Sequence, residues 1–453
     1  MRRHSVIARL GPADTTRIDL RVPDSVATQV RFIDGKRRLG FGIGQAVERL
    51  IERGIVPAEI AVDLMILAAT VTAADTRISR ATESQDSWTR EIDLYVPVQD
   101  PSAWATAVPL VKRALDFLTG DRWEVIVRER HERYRQLVTR PGDLAATPHT
   151  SICLFSGGLD SFTGAIDLLA RGEDPLFVSH YWDASTSSQE PCARVLEAVY
   201  GPMDPRHVRA RVGFPDDLVR GSAPEKTTRG RSFLFFALAA LAASGLDGTP
   251  TIYVPENGLI SLNVPLDPLR VGAWSTRTTH PFYMARWQEL LTRLGIRATV
   301  ENPYRFMTKG EMLSACGNKA LLKSHVADTI SCSSISKSRW KGLSMRHCGA
   351  CVPCLIRRAA ITAAFKSDPT TYTLDDLTAR PLNSKKADGE HVRSFQMVAR
   401  RLARQPSPAR ILVYKSGPLS DYPEADVTQY AAVFERGIKE VAKLVKPVTV
   451  RPK

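Results

Sequence analysis

The spacing of apolar side chains along the first 145 residues predicts a series of short helices and strands. Apolar residues that recur every three or four positions indicate a helix, whereas strict alternation indicates a half-buried strand. The predicted helices cover residues 44–53, 57–74 and 104–118. The predicted strands cover residues 5–10, 16–22, 88–98 and 123–127, and residues 88–98 show the alternating pattern. We therefore expect an N-terminal α+β accessory domain over residues 1–145.

A different order of elements follows the Pro/Gly/Thr-rich segment 140–150, which indicates a domain boundary. Strands are predicted at residues 151–155, 175–180, 208–212 and 251–254. Helices are predicted at residues 162–171, 189–200, 231–244 and 283–294. Strands that alternate with helices are typical of a parallel sheet with helices on both faces. We predict an α/β, Rossmann-like domain over residues 146–366.

The last part of the chain, residues 367–453, carries two amphipathic patterns at 388–404 and 427–445, which predict a helical C-terminal extension. The longest strongly apolar run, residues 233–246, is shorter than the roughly 20 residues that cross a membrane. We expect a buried helix there. The first residues lack the apolar stretch of a secretory signal. We therefore expect a cytoplasmic protein that does not associate with membranes.

Composition places the chain among ordinary globular proteins with two or three domains, since it has 453 residues, 43% of them hydrophobic. Its formal net charge of +14 suggests an anionic partner such as a nucleic acid, a nucleotide or a membrane surface. A basic, solvated surface is the alternative. Residues 323–366 hold eight basic residues and one acid, Asp328. Half of the excess charge therefore surrounds a cluster of cysteines.

A glycine-rich sequence, SGGLDS at residues 156–161, links a predicted strand to a predicted helix. Two glycines allow a sharp turn, and backbone N–H groups at a helix N-terminus attract phosphate. The serine hydroxyls can add hydrogen bonds, and Asp160 can cap the helix or help to hold Mg²⁺. No Gly-Lys-Ser/Thr follows, which excludes a Walker A loop. The sequence predicts a phosphate-binding loop; a glycine turn that only caps a helix is the alternative.

Four of the seven cysteines have the spacing C-x15-C-x2-C-x2-C, at Cys332, Cys348, Cys351 and Cys354. Two overlapping C-x-x-C turns can direct thiolates to one tetrahedral zinc ion, and a closed four-cysteine set indicates a structural site. There are three alternatives: His347 replaces one of the cysteines as a zinc ligand, the cysteines hold an iron–sulfur cluster, or they are free buried thiols. Such clustering also favours a reducing compartment over a secreted disulfide framework.

The loop and the cysteine motif CGACVPCLIRRAA, some 190 residues apart, together resemble the QueC family of 7-cyano-7-deazaguanine synthases, which are PP-loop ATP enzymes. Residues 231–235 resemble that family's Arg-Asn-x-x-Phe helix start, with Ser232 in place of Asn, and residues 307–311 resemble its Thr-Lys-x-Glu segment. The resemblance covers residues 148–366, about half of the chain. It implies a PP-loop fold of the adenine nucleotide alpha hydrolase type with a zinc knuckle.

The family resemblance implies an enzyme that forms AMP and pyrophosphate from ATP while it adenylates the carboxylate of 7-carboxy-7-deazaguanine. An amine then displaces AMP; with ammonia, a second adenylation and a dehydration give the nitrile. The implied cofactors are ATP, Mg²⁺ and structural Zn²⁺. The residues that would bind ATP are Ser156, Gly157, Gly158, Leu159, Asp160, Ser161 and Arg231.

The remaining candidate residues fall into a catalytic group and a substrate-pocket group. Asp160 and Lys309 are candidate catalytic residues, with Lys309 either stabilising charge on the transferring phosphate or lying on the surface. Glu256, Asn257 and Asn263 are candidates for the substrate pocket, or they only shape turns. Their segment, residues 255–265, departs from the substrate region of the family.

The extended architecture resembles the QatC-type proteins of bacterial antiviral operons, because ordinary QueC proteins are about half as long. That group is linked to joining a deazaguanine acid to the N-terminal amine of a partner protein. The resemblance implies that a partner docks on the N-terminal or the C-terminal extension.

Three alternative functions stay open. One is a free nitrile synthase that uses ammonia. Another is tRNA modification such as thiolation, which needs a reactive thiol at Cys153, Cys192 or Cys316. The third is a nucleic-acid-binding or scaffold protein with a degenerate loop. A zinc ion with four thiolates carries a charge of −2, which Arg357 and Arg358 are placed to balance, so the basic charge alone does not favour nucleic acid.

Overall fold

The computed structural model describes residues 2–34, 38–143, 147–182, 186–225, 227–266, 277–404 and 408–452, with only the backbone described at 339–341. The strands are β1 (His4–Arg9), β2 (Val26–Arg31), β3 (Glu91–Val98), β4 (Arg122–Glu129), β5 (Ser151–Leu154), β6 (Leu176–His180), β7 (His207–Ala210), β8 (Thr251–Tyr253), β9 (Thr299–Glu301), β10 (Leu382–Asn383) and β11 (Val450–Arg451). The helices of the first half are α1 (Ile43–Ile51), α2 (Glu59–Arg77), α3 (Arg80–Glu83), α4 (Pro101–Trp104), α5 (Val108–Thr119), α6 (Leu159–Ala170), α7 (Gln189–Tyr200) and α8 (Arg231–Ala243). Those of the second half are α9 (Gly258–Leu262), α10 (Pro281–Arg293), α11 (Lys309–Ala315), α12 (Lys319–His325), α13 (Val352–Phe365), α14 (Ala387–Arg404), α15 (Pro408–Leu412) and α16 (Glu424–Val445).

A four-stranded sheet in the order β2-β1-β3-β4 forms the N-terminal region, and all of its strand pairs are parallel. The prediction of an α+β arrangement is wrong in this respect, because helices connect β2 to β3 and β3 to β4, as parallel strands require. The region is organised as α/β.

The second strand of this sheet lies at residues 26–31, and the strand predicted at 16–22 does not form. Residues 16–22 pass beside β3 instead, where the Arg21 N–H donates to Tyr95 Oη at 2.7 Å and its guanidinium pairs with Asp93 at 3.0 Å. Strand β3 is therefore buried on both faces and is not half-buried as its alternation predicted. Its polar face is covered by arginine rather than by water.

The second sheet has five parallel strands in the order β7-β6-β5-β8-β9, which confirms the predicted α/β class. The edge strand β9 was not predicted, because its three residues are too few to form a periodic pattern. Strand β5 lies at the centre, with β6 on one side and β8 on the other. The chain therefore reverses its winding at β5, and ligands of such sheets bind in the crevice at the carboxyl ends of the strands beside that point.

Helices α2 and α8 pack against each other, with α2 also on β1 and β3 of the first sheet and α8 on β5, β6 and β8 of the second. Both helices are buried over most of their surface, and one apolar cluster includes both sheets. This core spans the predicted boundary at 145/146, which falls on residues 144–146 outside the described part of the chain. The domain boundaries thus stay predictions.

The C-terminal region consists mainly of helices, as predicted, although α14 and α16 begin at residues 387 and 424. Helix α16 packs on α9, α13, α14 and α15, and these helices share a separate apolar core. The C-terminal extension thus lies against elements of the second sheet's domain. Among the helices described, none is both long enough and apolar enough to cross a membrane.

Candidate active site

The SGGLDS loop lies between β5 and α6, at the point where the second sheet reverses its winding. Gly157 has φ of +76°, and a Cβ there would lie 2.7 Å from the backbone nitrogen of Gln189. The Gly157 carbonyl accepts hydrogen bonds from Ser188 Oγ at 2.8 Å and from the Ile330 N–H at 3.3 Å. Both the backbone conformation and the close neighbours therefore require glycine at this position.

The serine hydroxyls of the loop hold it closed. Ser161 Oγ donates a hydrogen bond to the Gly158 carbonyl at 3.0 Å and accepts one from the Ser156 N–H at 3.2 Å. Ser156 Oγ accepts from the Gly158 N–H at 3.3 Å. The side chain of Leu159 is fully buried in the core beneath α6, so this residue contributes its backbone and not its side chain to the loop surface.

A buried polar cluster lies at the start of α6, where Lys309 Nζ forms an ion pair with Asp160. Asn257 donates to the other oxygen of the same carboxylate, from Nδ2 at 2.7 Å and from its backbone N–H at 3.2 Å. Asn257 Oδ1 also accepts from the Ile260 N–H and caps α9. Lys309 is only 2% exposed, which is incompatible with the alternative of a surface lysine.

The carboxyl group of Glu256 lies beside that of Asp160, and the two carboxyl groups titrate differently. Burial raises the pKa of Glu256, and the neighbouring charge of Asp160 raises it further. Burial also acts to raise the pKa of Asp160, but the charge of Lys309 and hydrogen bonds from Glu256 and Asn257 outweigh it, so that pKa is lowered. Burial and the Asp160 charge thus favour the neutral form of Glu256, whereas Lys309 favours the ionised form of Asp160.

A cavity of about 350 Å³ opens beside the loop and brings several predicted residues together. The predicted site residues in its lining are Ser156, Ser161, Arg231 and Glu256. Asp160, Lys309 and Asn257 form the polar cluster behind Glu256, outside the described lining. Asn263 also lies outside it and ends α9 with φ of +44°. Asn263 therefore shapes the turn after α9, and Asn257 orients the carboxylate of Asp160.

Two arginines of the cavity, Arg229 and Arg277, were not predicted from the sequence. Each stands in a Thr/Arg-rich segment, TTRGR at 227–231 and TRTT at 276–279, and this shared composition is the only local signal. Ser232, which stands where the resembled family has Asn, also lines the cavity.

A larger groove of about 930 Å³ lies near the edge strand β7 of the second sheet, between α1, α7 and β7. Its lining holds five arginines and five acids, and two of the pairs are Arg209 with Glu190 and Arg206 with Asp174, the latter at 3.3 Å. This balanced charge makes it a weaker candidate for anion binding than the cavity beside the loop.

The C-terminal extension contacts the segment that carries Lys309. Glu440 on α16 accepts hydrogen bonds from Thr308 Oγ1 at 2.9 Å and from the Gly310 N–H at 3.2 Å. Arg436, one turn earlier, pairs with Glu311 at 2.6 Å. Thr308 and Glu311 also form a capping box at the start of α11. Helix α16 therefore fixes the residues on both sides of Lys309.

The four cysteines of the predicted zinc site converge, with all of their Sγ atoms within 4.8 Å of one another. Cys332 and Cys351 are 3.9 Å apart, as are Cys348 and Cys354. Four thiolates at the usual Zn–S distance of about 2.3 Å form a tetrahedron with edges of about 3.8 Å. The sulfur atoms thus fit a structural zinc ion.

The neighbours of the cysteine cluster support the same assignment. The Cys348 N–H donates to Cys332 Sγ at 3.3 Å, as expected for a thiolate. His347 is not part of the ligand cluster, and its Nε2 accepts from the Ser331 N–H at 3.1 Å. Arg357, fully buried, donates to Thr329 Oγ1 at 2.8 Å and so fixes the segment whose Ile330 contacts the loop. The cysteine cluster and the loop are therefore structurally connected.

Comparison with known proteins finds relatives that match about half of this chain. The 7-cyano-7-deazaguanine synthase of Cupriavidus necator is 30% identical over 241 residues, which cover 49% of this chain and 96% of that protein. The proteins of the same name from Ralstonia nicotianae and Methanoregula boonei are 29% and 24% identical, again over 49% of this chain and 98% of each protein. No family model matches the chain, and no solved structure matches it significantly.

The cysteine cluster predicts one zinc ion per chain, measured by elemental analysis of the purified protein. Cys351→Ser removes one of four buried ligands, so we expect it to lose the zinc and to lower the midpoint of thermal unfolding. Cys316→Ser is the matched control, because Cys316 is also buried but lies outside the cluster. Iron in place of zinc, with the visible absorption of an iron–sulfur cluster, would contradict this assignment.

The contacts of Glu440 predict that Glu440→Ala loosens the Lys309 segment. The substitution removes the acceptor of Thr308 and Gly310, and each buried group left unsatisfied costs about 1–3 kcal/mol. We expect faster amide hydrogen exchange in peptides that cover residues 306–315. The control is Glu435→Ala, because Glu435 lies on the same helix but forms a solvent-exposed ion pair with Lys439. We expect this variant to leave the exchange of residues 306–315 unchanged. Equal exchange in both variants would show that α16 does not hold this segment.

Proposed function

The chain belongs to the 7-cyano-7-deazaguanine synthase family, and on this basis we propose that it adenylates the carboxylate of 7-carboxy-7-deazaguanine with ATP. The observation that carries the proposal is the position of the SGGLDS loop, at the winding reversal of a parallel sheet and beside a cavity lined by arginines. Such a crevice is where nucleotides bind in sheets of this kind.

In the proposed reaction, a carboxylate oxygen of the acid attacks the α-phosphorus of ATP and pyrophosphate leaves. The loop backbone at the N-terminus of α6 and the hydroxyls of Ser156 and Ser161 bind phosphate oxygens. Lys309, held by Asp160, stabilises negative charge next to the loop. An amine then attacks the acyl carbon of the adenylate and AMP leaves, with loss of one proton from nitrogen.

Two carboxyl groups, those of Asp160 and Glu256, offer the oxygen ligands that Mg²⁺ prefers. Glu256 lines the cavity, so its carboxyl group is in a position to reach an ion bound with ATP. When bound, Mg²⁺ supplies positive charge that neutralises phosphate oxygens. A cation at this position would also favour the ionised form of Glu256.

We further propose that the amine belongs to a partner protein, as the likeness to QatC-type proteins of antiviral operons implies. About half of the chain lies outside the match to the relatives, whereas a free ammonia acceptor needs no docking surface. The N-terminal and C-terminal extensions are the regions on which we propose that the partner docks. Free nitrile synthesis with ammonia is the second candidate, since the relatives are named for that product.

The tRNA thiolation alternative is disfavoured by the cysteines outside the cluster. Cys153 and Cys192 are fully buried, and Cys316 is 6% exposed. Burial raises the pKa of Cys192 and of Cys316 to about 12. Thiols of this kind are poor nucleophiles at neutral pH.

The test is release of pyrophosphate and AMP from ATP, with and without 7-carboxy-7-deazaguanine, in the presence of ammonia or of co-expressed neighbouring proteins. We expect release that requires the acid and falls about 100-fold or more in Asp160→Ala, because Lys309 loses its partner. Asp247→Ala, at an exposed turn, is the control. Intact-mass spectrometry of the neighbouring proteins then separates a ligase, which leaves a covalent adduct, from a nitrile synthase.

Absence of acid-dependent release with every acceptor would contradict the proposed adenylation. Nucleic-acid binding that weakens steeply with salt, without any ATP turnover, would instead favour the binding or scaffold alternative.

A further inference from the structure

The cavity beside the loop has a strongly cationic lining. Three arginines line it, Arg229, Arg231 and Arg277, whereas its described lining contains a single acid, Glu256. Burial lowers the pKa of Arg229 and of Arg277 to about 10, so both remain protonated at neutral pH. With three arginines and one acid, the described lining carries a net positive charge.

Arg277 is held in this lining by the last turn of α5, in the N-terminal region. Its Nη1 donates to the carbonyl of Phe117 at 3.0 Å, and its guanidinium lies 4.6 Å from the centre of the Phe117 ring. The neighbouring residue, Leu118, lines the cavity itself. Because the guanidinium of Arg277 both lies over the ring and donates to the carbonyl of the same residue, its orientation is fixed.

Arg229 is held in the same way and by the same turn. Its Nη1 donates to the carbonyl of Thr119 at 2.9 Å, and its guanidinium lies 4.1 Å from the ring of Trp88. Among the residues described, no carboxylate lies within ion-pair distance of Arg229. Helix α5 ends at Thr119, so the carbonyls that hold both arginines belong to the negative end of a helix dipole.

A buried ion network joins the start of α8 to the same region. Asp75 at the end of α2 accepts the Gly230 N–H at 2.7 Å and pairs with Arg80 and Arg90 at 3.0 and 2.8 Å. Gly230 lies between the two cavity arginines Arg229 and Arg231. The backbone between these arginines is therefore fixed by a residue of the N-terminal region.

We propose that Arg229 and Arg277 are ligand-binding residues that receive an anionic oxygen group, and that the N-terminal region completes the cavity by orienting them. This inference rests on the proposed function, because it assigns part of the same ligand site. The group recognised is an oxyanion with at least two oxygens, since two separately held guanidinium groups converge on one cavity. Its source is either the carboxylate of the deazaguanine acid or a phosphate of ATP.

Titration calorimetry on the full-length protein tests the proposal with three probes: α,β-methylene-ATP, 7-carboxy-7-deazaguanine and the uncharged 7-cyano-7-deazaguanine. The variants are Arg229→Gln and Arg277→Gln, with Arg293→Gln at an exposed position of α10 as the control. We expect each cavity variant to weaken one anionic probe about 10- to 100-fold, as loss of a charged hydrogen bond does. The control should bind all probes as the wild type does.

The probes distinguish the two sources of the oxyanion. Weaker binding of the acid, with unchanged binding of the nitrile and of the ATP analogue, assigns the carboxylate. Weaker binding of the ATP analogue, with unchanged binding of the acid, assigns a phosphate. In either case the unaffected probe shows that the variant is folded.

A further variant, Phe117→Leu, tests the orienting role of the N-terminal region. It keeps an apolar side chain but removes the ring beneath Arg277, and we expect the same probe to bind about two- to tenfold more weakly. If the wild type binds the acid and the ATP analogue and both glutamine variants match it within twofold, the inference is wrong while the proposed function stands. If the wild type binds neither probe, the proposed function fails and the inference with it.

Discussion

The buried ion pair between Asp160 and Lys309 is the interaction on which the geometry of the site depends. It joins the first turn of α6, directly after the phosphate loop, to the start of α11. Through Asn257 it also fixes α9, and through Glu440 the same segment is tied to α16. A buried charge that loses its partner is strongly destabilising, about 3–5 kcal/mol. The loop and three surrounding helices are therefore held in one arrangement by a few polar contacts.

The site is built by three regions of the chain and not by the loop domain alone. The second sheet supplies the loop and the polar cluster, the last turn of α5 holds two cavity arginines, and α16 fixes the segment of Lys309. About half of the chain lies outside the match to its relatives, yet parts of both terminal regions lie against the cavity or the polar cluster. These regions therefore belong to the structure of the site as well as to any docking surface.

The spacing of residues along the chain predicted two local features of the site, the phosphate loop and the cysteine pairs. The SGGLDS segment forms the predicted turn, and the cysteines of the C-x-x-C pairs come together as predicted. In both motifs, residues that are close in sequence are also close in space. The sequence could not show that Asp160 contacts Lys309, 149 residues away, or that Arg277 depends on Phe117. Strand β3 was misjudged for a related reason: Arg21 covers a polar face that alternation assigns to water. Long-range polar contacts leave no periodic signal.

A double-mutant cycle measures whether Asp160 and Lys309 depend on each other. The free energies of unfolding are measured for the wild type, Asp160→Asn, Lys309→Met and the double variant. We expect each single substitution to cost about 3–5 kcal/mol. The double variant should lose clearly less than the sum of the two, because neither charge is then left buried without its partner. Losses that add to within about 0.5 kcal/mol would show that the two side chains do not depend on each other and that the ion pair does not hold the site together.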